Sequence, residues 1–216
     1  MNSETKFYSP LEERINILSH AAGLLLSMVA IVLLVTRASS NGNAWHIVSV
    51  AIFGASLIAL YAASTSYHSA TRAELRARLR IIDHSTIYIL IAGTYTPFTL
   101  ITLNGTVGWV IFAFSWGMAL SGIILKLFFT GRFNLVSTLM YVFMGWIIIF
   151  AVKPLIANLS TEGLLWLVAG GLSYTIGAII YSIKKVPLNH AIFHLFVLGG
   201  SICHFVAVYF YVLPGH

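Results

Sequence analysis

The sequence predicts an all-α integral membrane protein, a bundle of seven transmembrane helices, and three observations predict it. Of the 216 residues, 59% are apolar and 8% are charged, about a third of the charged share that an ordinary soluble domain shows to water. Mean hydropathy is +0.92. Apolar runs near the length of about 20 residues that carries a helix across a hydrocarbon core recur seven times along the chain. A soluble globular domain is excluded by the charge content. A disordered chain is excluded because 13% of the residues are aromatic and the polarity that keeps a segment unfolded in water is missing. The single cysteine, Cys203, lies inside an apolar run and cannot form an intrachain disulfide.

The first run, Ile15–Thr36, follows a segment with Glu4, Glu12 and Glu13 beside Lys6 and Arg14. That segment is not the basic head of a secretory signal, and the run is a full span, so it reads as a retained helix. The second, Trp45–Tyr67, ends at His68. The third, Ile81–Leu103, contains Pro97, which should kink it, with Thr94 or Thr96 re-satisfying the freed backbone groups. The fourth and fifth, Val107–Phe129 and Leu135–Ile156, are divided at a turn marked by Lys126, Arg132 and Asn134. Gly163–Ile183 and His190–Leu213 complete the set. The chain is thus expected to comprise an N-terminal cytoplasmic segment, residues 1–14, and a single seven-helix membrane domain, residues 15–216.

Short cytoplasmic loops carry the excess of Lys and Arg. With the N-terminus inside, the inner segments hold Lys6, Arg14, Arg72, Arg76, Arg78, Arg80, Lys126, Arg132, Lys184 and Lys185, and the outer ones only Arg37 and Lys153. Ten against two predicts a cytoplasmic N-terminus and an external C-terminus. The net charge of +6 therefore reports topology, and no nucleic-acid partner is expected. Arg72, Arg76 and Arg80 recur at i, i+4 and i+8 with Leu75 and Leu79 on the other side, the pattern of a basic amphipathic turn at an anionic headgroup layer.

Ionisable groups at membrane depth are costly and functional by default. His68 ends the second span, Asp83 and His84 begin the third, and His190 and His194 begin the seventh, so spans two, three and seven bring them to one depth. His190 and His194 stand at i, i+4, about 6 Å apart on one helical face, the spacing by which one helix supplies two metal ligands. Ser64 and His68 repeat it with a hydroxyl in place of one imidazole. Three imidazoles from His68, His190 and His194 would leave a fourth position open to water, the pattern of a catalytic zinc site. A hydrogen-bonded histidine cluster is the alternative. Asp83 is placed to act as base and Ser64 to orient water or a scissile carbonyl. His20 with Asn16 on the first span, and His204 beyond His194, are candidates for lining the cavity or supporting the site. His46 and His216 fall on the external side.

Ser64-x3-His68, the stretch from Ile82-Asp83-His84 through Thr94-Tyr-Thr-Pro97, Asn189-His-Ala-Ile-Phe-His194, Gly199-Gly-Ser-Ile-Cys-His204 and Glu13-x2-Asn16-x3-His20 together resemble the bacterial hemolysin III proteins. These are the prokaryotic branch of the progestin and adipoQ receptor family, which includes the adiponectin receptors and is related to the alkaline ceramidases. The resemblance spans essentially the whole chain. It implies seven helices with a cytoplasmic N-terminus in the bacterial inner membrane, and a zinc on histidines matching His68, His190 and His194. It also implies an aspartate matching Asp83 close to the metal, and a serine matching Ser64. The expected function is a zinc-dependent hydrolase-like site acting on a lipid amide or ester with an acyl chain, serving membrane lipid homeostasis. Membrane lipids are then the partners, and no soluble partner is implied. Two other readings stay open: a non-enzymatic membrane sensor or regulator with structural zinc, and a cytolytic pore.

Overall fold

The computed structural model describes residues 7–129 and 134–215, and every regular element among them is helical. α1 (Pro10–Asn41) turns back through α2 (Ala44–Ser69). α3 (Ala73–Pro97) runs on without a break into a π-helical turn, Phe98–Leu103, and α4 (Gly105–Phe129) returns. The fifth crossing is assembled from α5 (Asn134–Gly145), a 3-10 turn over Ile147–Ala151 and α6 (Val152–Asn158). α7 (Thr161–Ser182) and α8 (Asn189–Ala207), extended by a π-helical turn over Val208–Val212, close the bundle. Seven of these segments are long and apolar enough to cross a membrane. The protein is therefore a seven-helix membrane protein.

Several boundaries move from those expected. α1 starts at Pro10 instead of Ile15, because the Ser9 hydroxyl accepts from the Glu12 amide and proline fits the first helical turn. The stretch read as a break between spans two and three is mostly helix, since α3 starts at Ala73. Pro97 ends the α-hydrogen-bonded part of that span, while the hydroxyls of Thr94 and Thr96 bond back to the carbonyls of Leu90 and Ala92. The wider turn that follows is a common way to absorb the interruption. The turn expected at Arg132, together with Lys6 and His216, lies outside the described residues.

The bundle presents hydrocarbon outward and gathers its polar groups within. Leu18 is 69% exposed and Phe150 79%, whereas Asn16, His20, His68, Arg76, Asp83, His190 and His194 are all buried. α1 packs along α2, α2 along α3, α7 along α8, and α8 closes back on α1. By contrast α5 and α6 touch α3, α4 and α7 only sparsely. Gly23 shows how close the tight half is: a methyl group there would lie 2.6 Å from the Tyr61 ring. That ring crosses to α8, where the Tyr61 hydroxyl donates to Ser201 Oγ at 2.8 Å.

Candidate metal centre

At one end of the bundle the first turns of α1, α3 and α8 meet the last turn of α2. α8 begins poorly capped on its own account: Leu188, its N-cap, sits at φ 55° and offers no capping side chain. Glu12 of α1 fills that role, accepting from the His190 amide at 3.2 Å and placing a carboxylate at a helix N-terminus, where the dipole favours it. His190 and His194 then project from one face of α8 toward His68.

His190 Nε2 lies 3.1 Å from His68 Nε2 and 3.1 Å from His194 Nε2, and the candidate ligand atoms of the three all fall within 4.8 Å of one another. A tetrahedral ion at about 2.0–2.1 Å from imidazole nitrogens separates its ligands by about 3.3 Å, so the set fits a metal. His68, His190 and His194 can hold a metal ion.

The tautomer of His68 is set by its other nitrogen. Nδ1–H donates to Glu13 Oε2 at 2.7 Å, which leaves the Nε2 lone pair facing the other two rings. The Asn16 amide is 3.4 Å from the same Nδ1. Glu13 is in turn ion-paired with Arg76 and accepts from the Tyr8 amide at 3.1 Å. Arg76 also donates to the carbonyls of Tyr67, His68 and Ala70 at 3.1–3.2 Å, satisfying the end of α2, and its guanidinium lies over the rings of Phe7 and Tyr67. One arginine thus closes the helix that carries His68 and anchors the carboxylate that orients it. Tyr8 stacks on the His190 ring at 4.5 Å; burial raises its phenol far above the usual value and keeps it neutral. His20 stacks on His194 at 3.6 Å and 11°.

His190 and His194 open onto a cavity of about 360 Å³ that runs between α3, α5, α7 and α8. Ser64 and Asp83 line it beside the histidines. Most of the remaining wall is apolar, including Leu90, Ile91 and Phe98. His204 lies deeper, beside Tyr174 at 5.3 Å between ring centres. Its position requires Gly170, where a methyl group would come within 2.6 Å of His204 Nε2.

The structure therefore brings His68, His190 and His194 together, sets Asn16 and His20 against them, places Asp83 and Ser64 on the adjoining wall, and leaves His204 further along. Glu12, Glu13, Arg76 and Tyr8 were absent from the expected site. A signal for them existed: Ser9-Pro10 followed by Glu12 and Glu13 is a helix-start pattern, and starting the helix there puts Glu13, Asn16 and His20 on one face. The amphipathic reading of the arginines is overturned, because Arg76 is 1% exposed while Leu75 is 48% exposed. His46, at the other end, serves the capping box of α2 with Asn43.

This is a multi-pass membrane protein with a buried three-imidazole centre at one end of its bundle, opening on an apolar cavity. The model of the family described as Haemolysin-III related matches residues 8–205, and the chain belongs to that family. It is 49% identical over 203 residues to Hemolysin-3 of Bacillus cereus, covering 94% of this chain and 93% of that one. It is 51% identical over 200 residues to a Hemolysin-3 homolog of Bacillus subtilis, covering 93% and 94%. A more distant relative is the monocyte to macrophage differentiation factor of Homo sapiens, 29% identical over 181 residues, 80% of this chain and 74% of that one.

Proposed function

We propose that this protein is a zinc-dependent hydrolase of a membrane lipid amide or ester, working from the cytoplasmic side of the inner membrane in membrane lipid homeostasis. The observation that carries the reading is the convergence of three buried imidazole nitrogens at the mouth of an apolar cavity whose adjoining wall holds Asp83 and Ser64. Zinc, when bound, supplies a Lewis acid that polarises a carbonyl and brings the pKa of water down to about 7. His68, held by Glu13, and the His190–His194 pair supply neutral nitrogen donors. Asp83 takes a proton from the attacking water at a carboxylate oxygen and returns it to the leaving amine or alkoxide. The Ser64 hydroxyl orients the carbonyl, and the cavity takes the acyl chain and keeps bulk water from it. The excess of lysine and arginine at this end of the bundle supports a cytoplasmic position for it.

A second reading has its own observation. His68 belongs to α2 and His190 and His194 to α8, and Glu13 of α1 holds His68, so ligation would tie two helices directly and a third through Glu13, as a non-enzymatic sensor or regulator with structural zinc would need. A cytolytic pore, which the names of the two Bacillus relatives suggest, needs a polar path through the bundle, and the mainly apolar cavity lends it no support.

Metal content of the detergent-purified protein and turnover of fluorogenic lipid amides and esters separate the readings. The hydrolase requires about one zinc per chain, and Asp83→Asn should stay folded and keep its zinc while losing turnover by about 100-fold or more. Zinc present without turnover of any amide or ester lipid leaves the sensor. A chain purified without chelator that holds no metal overturns both.

A further inference from the structure

His204 is a buried polar group that the chemistry at the mouth of the cavity does not use. It stands ten residues beyond His194 on α8, about 15 Å further along the helix axis, and with His190, His194 and Val197 it lines one continuous cavity. The residue is 5% exposed. Its Nδ1 finds no hydrogen-bond partner among the described residues. The ring edge bearing Nε2 lies over α7 at Gly170, where the missing side chain admits it.

The other donors in this reach of the cavity are spent within the protein. Thr94 Oγ1 donates to the Leu90 carbonyl at 2.8 Å, the Tyr95 hydroxyl to the Gly145 carbonyl at 2.7 Å and Thr175 Oγ1 to the Gly171 carbonyl at 2.8 Å. Trp146 Nε1 donates to Thr175 Oγ1 at 2.9 Å, and the Tyr174 hydroxyl pairs with Ser201 Oγ at 3.0 Å. A buried polar group without its hydrogen bond costs free energy, and a bundle set in lipid has no water nearby to supply one. Apolar pockets draw their selectivity from a few placed polar groups of this kind. With no partner on Nδ1 to fix the tautomer, an uncharged imidazole can present either an N–H or a lone pair. That is the match for a hydroxyl, which both accepts and donates.

We infer that His204 is a selectivity contact for lipids whose acyl chain carries a hydroxyl part-way along its length. With the reacting carbonyl at the histidine centre, an extended chain with carbon–carbon bonds of about 1.5 Å reaches the depth of His204 after about twelve carbons. The inference names the substrate class of the proposed hydrolase and rests on that reading for its catalytic meaning, but the contact itself needs neither metal nor turnover.

The test is stabilisation of the detergent-purified full-length protein by added fatty acids, read as the half-saturating concentration for the rise in melting temperature. 12-Hydroxystearate should act at about fivefold lower concentration than stearate, the worth of one hydrogen bond made in place of an unmade one. 2-Hydroxystearate, whose hydroxyl stays at the mouth, should act no better than stearate. His204→Phe keeps an aromatic ring beside Tyr174 and removes both nitrogens; it should erase the preference while stearate itself acts within about twofold of its wild-type concentration. Thr94→Val, which loses a hydroxyl already bonded to its own helix, should leave the preference unchanged, as should stripping the wild type with chelator. Equal action of 12-hydroxystearate and stearate on the wild type, equal action of the two hydroxy acids, or a preference that survives His204→Phe overturns the contact. Should His204→Phe fail to fold, His204→Leu takes its place, and if neither folds the comparison of the two hydroxy acids on the wild type decides. A preference retained in a protein that hydrolyses nothing defeats the hydrolase and leaves the contact standing. Turnover of lipid amides or esters without the preference does the reverse.

Discussion

The two halves of this bundle are built to different standards. α1, α2, α3 and α8 pack along their lengths, and the polar groups between them are tied in a chain from Arg76 through Glu13 to His68 and on to the imidazoles of α8. α5 and α6 form the facing wall with a helix broken at Trp146, sparse packing and few polar anchors, among them Tyr95 donating to the Gly145 carbonyl and Trp146 to Thr175. The contrast follows from what each half holds. Ligand nitrogens must stay within tenths of an ångström to bind a metal, and burying charge in a bundle surrounded by lipid is tolerable only when every member of the network is satisfied. A wall that meets hydrocarbon chains needs no such register.

The largest effect that would break this comparison is loss of the triad. His68→Ala and His190→Ala should abolish metal binding, measured by elemental analysis, while variants along α5 such as Phe143→Ala should leave it intact. Glu13→Gln comes next. With the carboxylate gone His68 loses the partner that fixes its tautomer, and metal affinity should fall about 10- to 100-fold by chelator competition while the chain still folds.

Arg76→Met sharpens the point in energetic terms. It removes the cation paired with Glu13 and one donor from each of three carbonyls at the end of α2, and should cost about 3 kcal/mol of stability as a lowered unfolding midpoint. Gly170→Ala pushes on His204 from α7 and should cost about 1–3 kcal/mol with metal content unchanged. Smallest is Asn43→Ala at the opposite end, where loss of the α2 cap should cost about 1 kcal/mol and leave metal and lipid binding as they were. An equal loss of metal in Asn43→Ala and Glu13→Gln would mean that the site answers to global stability and the distinction between the halves is empty.

Much of the fold was legible because lipid imposes a length and a composition on each span. His68, Asp83, His190 and His194 could be placed at one depth by counting turns from the span ends, and the i, i+4 spacing put two imidazoles on one face. The partners of those residues were not legible in the same way. Glu12 and Glu13 read as polar residues before a span until the helix start moved to Pro10, and Lys126 and Arg76 read as loop cations because hydropathy reports charge without direction.

Composition, span length and helical spacing suffice to define a seven-helix membrane bundle of the Haemolysin-III related family, with histidines from two spans able to meet at one end. Those properties depend on local periodicity and on what a bilayer admits. Which cations turn inward, that Arg76 closes α2 while holding Glu13, and that Lys126 faces the cavity instead of the headgroups follow from the assembled bundle. Such choices belong to the packing of helices distant in sequence, where the cost of burying a charge is met by groups that no single segment contains.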